Sequence, residues 1–407
     1  MNFFIGLQWW QIVIGVIVGL FLLMVLVLIH ELGHALMAVR NGVEVEEFGL
    51  GLPPRAKTLG TVHYTVRGKK FATLVTLNWL LPLGGFCRMK GESDADRRKG
   101  SFGAASFAAK TKILFAGVAV NLLAAMAIFT ILAWTGLPMV DSSQFAMPMD
   151  NHGSSGIVAV ASVVKRSPAE RAGLKNGDEI RAISANNGEM RRLVATTTDV
   201  SNTTSALAGQ IVQVQLVRDG RPITKTTTLN KTGAQHGILG VQMVQKTSPS
   251  IRATWSAPLV GVIDTLQFCW MTIVGLAGLV ANLVIGVFGF IVGIFVPAAS
   301  SSAGAQIGAA SNSVSGPLGI FGILAQGLFA GPTQLFFLMG IISLTLTVMN
   351  ILPVPAFDGG RWYLLAWYKL RRKKLTLERE SHVVGIGVII IIAIFVLVTL
   401  SDIVKLL

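Results

Sequence analysis

Five consecutive residues, His30-Glu31-Leu32-Gly33-His34, carry the densest chemistry in the sequence. Histidines at i and i+4 lie on one face of a helix, so both imidazoles can reach a single ion. Zinc accepts imidazole nitrogen well, and catalytic zinc sites use three protein ligands and keep one position for water. Glu31 sits where it can contact that water without being a ligand. It suits a general base that takes a proton from the nucleophile and passes it to a leaving amine. The pentapeptide also arises by chance. The plain alternative is a helix that ends at a membrane interface with these side chains solvated. Position argues for function: the three ionisable groups close an apolar run, and such groups at membrane depth are expensive to keep.

A third ligand is needed. Residues 265–357 contain no charged side chain, and they end in Asn350-Ile351-Leu352-Pro353-Val354-Pro355-Ala356-Phe357, followed by Asp358-Gly359-Gly360. Pro353 and Pro355 cannot occupy an intact helix interior, so the backbone is expected to unwind there. Gly359 and Gly360 let another segment approach closely. Asp358 is the candidate ligand, and a helix-capping aspartate is the alternative.

These groups need apolar helices to hold them. The chain has 407 residues, 52% hydrophobic and 13% charged, with a mean hydropathy of +0.64. Soluble domains are about 25% charged, so a fully soluble globular protein is excluded, and so is a disordered chain. The net charge is +14, from 34 basic and 20 acidic residues. Those charges cluster in loops between apolar spans, which is a membrane distribution and not a nucleic-acid-binding one. Cys87 and Cys269 allow at most one disulfide and no cysteine-based zinc site, and both read as packing residues.

The expected fold is a polytopic α-helical membrane protein with four core transmembrane helices, a membrane-associated β region and one external α+β domain. Residues 1–40 hold the first span (10–38). It is read as retained, because a secretory signal has a basic start and a shorter apolar run. Basic residues follow this span and none precede it, so it runs from outside to cytoplasm. Residues 41–106 form a cytoplasmic or membrane-dipping β region. It has strands near 61–66 and 71–75, a turn at Arg67-Gly68-Lys69, and an irregular stretch at Leu80–Phe86 broken by Pro and Gly. The second span is 107–135. Residues 150–250, rich in Ser, Thr and Asn, form an extracytoplasmic soluble domain. Residues 255–315 hold an apolar stretch, 258–298, that could be a hairpin, a re-entrant segment or a surface helix, then a Ser/Ala/Gly loop. Residues 316–380 contain the third span (333–352) and a basic cytoplasmic segment. Residues 381–407 contain the fourth (383–405). No internal repeat of the transporter kind occurs.

The sequence resembles the site-2 protease family of intramembrane zinc metalloproteases, in its bacterial regulator-of-sigma-E protease branch. His30-Glu31-x-x-His34 matches the family's zinc motif. Asn350-x-x-Pro353-x-Pro355-x-x-Asp358-Gly359 matches its second motif, with Phe357 where Leu is usual. Ser315-Gly316-Pro317-Leu318-Gly319-Ile320, Pro82-Leu83-Gly84-Gly85-Phe86 and Gly117 to Asn121 resemble further family segments. The resemblance implies Zn2+ held by His30, His34 and Asp358, with Glu31 as catalytic base. It also puts Asn350 near the active site, on substrate backbone or the oxyanion, where interhelical hydrogen bonding is the alternative. The same alternative is the stronger one for Asn121.

Gly156–Val160 and Ser167-Pro168 through Asp178-Glu179-Ile180 resemble a bacterial PDZ domain. His236-Gly237-Ile238-Leu239-Gly240 near its end is similar to a carboxylate-binding loop, which makes the domain circularly permuted. Such a groove binds a peptide C-terminus by strand addition, or serves as a size filter against bulky ectodomains. The expected partners are the lipid bilayer and single-pass membrane proteins of the anti-sigma-factor or signal-peptide-remnant type, cleaved in regulated intramembrane proteolysis at the bacterial cytoplasmic membrane. The substrate helix must unwind, and an edge strand near residues 61–76 is expected to pair with it. A catalytically silent scaffold that uses the PDZ domain is the alternative.

Overall fold

The computed structural model describes residues 8–66, 68–141, 143–154, 156–185, 191–231, 237–247, 249–293 and 317–406. The chain divides into two compact units, one of residues 1–128 with 265–407, the other of Phe129–Asp264.

The first unit opens with α1 (Trp9–Arg40), a 32-residue helix with no acid in its first turn and Arg40 in its last. Gly42, at φ +82°, turns the chain away from its end. The chain then forms a long antiparallel hairpin, β1 (Val45–Val66) and β2 (Lys69–Met89), with Val66 opposite Lys69 across the turn. Register shifts fold this hairpin back on itself. Residues 45–50 pair on one side with 85–89 and on the other with 74–77, while 58–66 pair with 69–76. The stretch expected to be irregular is thus partly strand: Gly85 faces Leu50 and Phe86 faces Gly49. A buried cluster of Val43, Phe71, Met89, Phe102, Ile113 and Leu365 ties this sheet to the end of α1, the start of α2 (Phe107–Thr135) and a later helix.

In the second unit a short β3 (Leu137–Pro138) precedes β4 (Ile157–Val163), α3 (Pro168–Arg171), β5 (Glu179–Ala185), β6 (Arg192–Leu193), α4 (Thr197–Ala206), β7 (Ile211–Arg218), β8 (Arg221–Thr228), β9 (Val241–Thr247) and β10 (Ser250–Ile251). The main sheet runs β8-β7-β5-β4-β9, with β6 on β5, and β10 pairs with β3. Every pair is antiparallel. Local chemistry sets the ends of these elements. Ser167 caps α3 by accepting the Glu170 N–H, and Thr196 and Asp199 form a capping box on α4. Asp219 and Gly220, both at positive φ, make the two-residue turn between β7 and β8. Val158, Ile180, Ile183, Val212, Val214 and Leu216 fill the core.

Five further helices are described: α5 (Ala257–Gly293, which starts in the second unit), α6 (Pro317–Ala330), α7 (Pro332–Ile351), α8 (Asp358–Leu370) and α9 (Leu377–Leu406). Residues 257–293 are one unbroken helix, so no hairpin turn falls within them. The Ser/Ala/Gly loop, with Ser315 and Gly316, lies outside the described residues, as does His236. α6 runs antiparallel to α1: Trp10 meets Phe329 at 5.6 Å between ring centroids, edge to face, while Gly15 packs on Ala325 and Gly19 on Leu324. Its 14 residues extend only about 21 Å.

Among the described residues four helices are long and apolar enough to cross a membrane: α1, α2, Ala257–Ala281 of α5, and α7. The α5 segment was not one of the four spans expected from sequence. The expected last span, 383–405, falls inside α9.

Candidate active site

α1 delivers its two histidines one turn apart, both buried. α7 ends at Ile351, and Leu352 is already extended, as the two prolines require. The chain turns over residues 352–357 and restarts as α8 at Asp358. Gly359 and Gly360 sit against the backbone of Asn350, Ile351 and Val354, where a Cβ would collide. The segment they let in is therefore the preceding turn of the same motif. It sets Asp358 at the first position of α8.

Three atoms able to bind a metal converge there. Asp358 Oδ2 lies 3.1 Å from His30 Nε2 and 3.1 Å from His34 Nε2, and the two Nε2 atoms are 3.1 Å apart. Tetrahedral zinc with bonds of about 2.0–2.1 Å spaces its ligands about 3.3 Å apart. Two imidazole nitrogens and one carboxylate oxygen at that spacing fit the donor set of a catalytic zinc. This trio is the one such cluster among the described residues.

The surroundings hold the ligands in place. His34 Nδ1 is 2.8 Å from the Ile113 carbonyl oxygen of α2, an acceptor that leaves Nε2 for the metal. Gly117, one turn on, makes room for both rings: a Cβ there would lie 2.6 Å from His34 Nε2 and 2.7 Å from His30 Cε1. Gly33 brings the α1 backbone against Ala116 and Gly117.

Glu31 reaches the hairpin. Its Oε2 accepts the Cys87 backbone N–H at 3.0 Å. Gly84 and Gly85 lie against Val27 and Leu28, one turn before His30. Strand 85–89 is therefore the one beside the site. Its partner, 45–50, lies on one side, and the Cys87 N–H points out from the other, toward Glu31. Residues 61–66, expected to offer the edge, pair with 69–74 on one side only and form the opposite edge of the hairpin sheet, while Glu31 contacts 85–89. The Cys87 thiol is buried, and burial, reinforced by the Glu31 charge, pushes its pKa far up.

Asn350 occupies the last turn of α7, close to Gly359 through its backbone. Its side chain makes no hydrogen bond to the cluster among the described residues. The sequence marked Gly117 to Asn121 only as a family-like segment and Cys87 as a packing residue, and gave no sign of the part Ile113 plays. Residues 113, 117 and 121 are spaced four apart in an apolar helix, a stripe that could have been noticed. A backbone N–H from a distant strand leaves no such mark.

In the second unit a cavity of about 370 Å³ lies between α4 and the segment Gly237–Met243, lined by Val164, Ser201, Thr204, Leu239, Val241 and Met243. Gly237, Ile238 and Gly240 also line it. Asp178 at the foot of β5 is fully buried and takes two hydrogen bonds from Arg218, at 2.6 and 2.7 Å.

Helices long and apolar enough to cross a membrane, with a His-His-Asp cluster of metal-binding geometry beside a glutamate, fit the class of membrane-embedded zinc metalloproteases. The family model for peptidase family M50 matches residues 18–257 and 265–394, and the chain belongs to that family, the site-2 proteases. It is 29% identical over 386 residues to a presumptive zinc metalloprotease of Clostridium perfringens, covering 93% of this chain and 95% of the relative. It is 24% identical to the zinc metalloprotease RasP of Geobacillus kaustophilus (93% and 95% covered) and 25% identical to that of Shouchella clausii (94% and 97%). The silent-scaffold alternative is set aside by this kinship with zinc metalloproteases.

Proposed function

We propose that this protein cleaves single-pass membrane proteins within or near their transmembrane segments, with Glu31 as general base and His30, His34 and Asp358 as zinc ligands. The observation that carries the reading is the 3.1 Å triangle of Nε2, Nε2 and Oδ2, formed between a helix end and a broken helix 324 residues further on, with Glu31 alongside. Zinc held there supplies Lewis acidity for activating water and polarising a peptide carbonyl. Glu31 takes a proton from the attacking water and gives it to the leaving amine. Asn350 stands near enough in the chain to steady substrate backbone or a developing oxyanion.

A substrate helix hides its peptide groups and has to unwind. Strand 85–89, with its outer edge toward Glu31, is the strand to which an unwound segment would add, satisfying its backbone groups at membrane depth. The second unit is read as a permuted PDZ domain on the extracytoplasmic side. Support comes from the loop Gly237–Gly240 leading into edge strand β9, with α4 forming the other wall of the cavity. A peptide C-terminus or an ectodomain is the expected occupant. The distribution of basic residues supports an inner-membrane location with the external domain outside.

The test is co-expression with a tagged single-pass membrane substrate. Wild type should cleave it, and Glu31→Gln and His30→Ala should not. Undiminished cleavage by Glu31→Gln would sink the mechanism.

A further inference from the structure

Each metal-facing imidazole has a second nitrogen, and the two are treated differently by α2. His34 Nδ1 faces the Ile113 carbonyl at 2.8 Å. His30 Nδ1 faces the side-chain amide of Asn121 at 3.4 Å. Asn121 is completely buried, and its Oδ1 has no hydrogen-bond partner among the described residues, while its Nδ2 is the atom placed against the ring. The two ends of an amide are nearly isosteric, and their assignment follows the hydrogen-bond network.

The network decides it. His30 directs Nε2 at Asp358 and His34, so with a metal bound there Nδ1 carries the ring proton and needs an acceptor. An Nδ2 donor opposite it would set two donors face to face and strand a buried oxygen. Exchanging the amide ends removes both faults at once. We propose that Asn121 accepts the His30 Nδ1–H through Oδ1 and is a positioning residue, fixing the tautomer and ring plane that present Nε2 to the metal. This rests on the zinc reading of the site. Along α2 the stripe is then complete: Ile113 holds one ring, Gly117 clears both, and Asn121 holds the other.

Simple helix packing is separable from this role. Ser343 Oγ of α7 donates to the Asn121 backbone carbonyl at 2.8 Å, so the α2–α7 link does not need the side chain.

The experiment uses the purified full chain in detergent, loaded with zinc or cobalt. Asn121→Leu removes the acceptor at similar volume, Asn121→Asp keeps it, and Ser343→Ala breaks only the packing link. Zinc affinity is read by competition with a chromogenic chelator, and the ligand field by the cobalt visible spectrum. Loss of an outer-shell partner should weaken zinc about 10–100-fold in Asn121→Leu, with a changed cobalt spectrum. Asn121→Asp and Ser343→Ala should stay near wild type in affinity. Wild-type affinity in Asn121→Leu would overturn the proposal, and so would equal weakening in Asn121→Leu and Asn121→Asp. If Asn121→Leu does not fold, Asn121→Ala against Asn121→Asp makes the same comparison, and equal affinities overturn it. His30→Ala and Asp358→Ala are measured alongside. Unchanged zinc binding in both would show that the site reading itself had failed, whatever Asn121 does.

Discussion

The α-carbon of Gly117 on α2 is placed so that a Cβ would come within 2.6 Å of Nε2 of His34. His34 has little room to yield, because its other nitrogen is held by the Ile113 carbonyl. Gly117→Val should therefore displace the ligand and lose most bound zinc, with cleavage falling with it. Metal analysis of purified protein checks this. A full equivalent of zinc in a folded Gly117→Val variant would contradict the packing argument.

Asp358 and Asn350 should separate metal binding from chemistry. Asp358→Ala removes one of the three proposed ligands and is expected to leave the protein without tightly held zinc. Asn350→Ala touches no ligand, so zinc content should be unchanged. Its cleavage rate should fall by about 100-fold if the amide steadies the oxyanion. Equal zinc and equal rates in Asn350→Ala and wild type would reduce Asn350 to a packing residue.

Cys87 offers a test of the edge strand. Its N–H points at Glu31 and not into the ladder with Phe48, so Cys87→Pro breaks no rung of the sheet, and proline is tolerated at such edges. Losing this anchor for Glu31 and the edge for substrate should lower cleavage by about 100-fold with zinc retained. Val62→Pro, at the exposed far end of the hairpin, should keep near-wild-type cleavage. The reverse ranking would move the substrate strand back to residues 61–76.

The Cys87 thiol itself should be inert. It is buried, and both burial and the Glu31 charge disfavour the thiolate. Folded protein at pH 8 should resist maleimide at Cys87 and react there only after denaturation, as read by peptide mass spectrometry. Prompt labelling of the native chain would mean that this edge is open to water.

The second unit should weaken in acid through Asp178. Burial alone would raise this carboxyl's pKa, but the Arg218 guanidinium and the Lys175 N–H hold it below the usual carboxylate range. Its folded pKa is thus lower than the unfolded value of about 3.9. The stability it contributes is complete above that value and is lost as pH falls through the folded one. Thermal unfolding of the full chain should show this acid-dependent loss. Arg218→Met, which leaves a buried carboxylate unpaired, should be less stable at pH 7 and less dependent on pH in the acid range.

The sequence alone was enough to nominate the candidate ligands and base of the site. His30, Glu31 and His34 share a helix, so 3.6-residue periodicity is enough to bring the histidines together. Asp358 was legible because it ends a long uncharged stretch behind two prolines, and because proline breaks helices wherever it falls. The turn at Asp219-Gly220 and the cap at Ser167 were equally local. What only the tertiary structure decided depends on contacts between segments far apart in the chain. The strand beside Glu31 is 85–89 and not 61–76, because register shifts fold the hairpin back on itself and no local pattern encodes that. Residues 257–293 form one helix, which apolar composition could not distinguish from a hairpin. The supports of the two imidazoles, the Ile113 carbonyl, the gap at Gly117 and the amide of Asn121, come from the face of α2 turned toward α1. A helix this apolar all round shows little in its sequence of which face meets which neighbour.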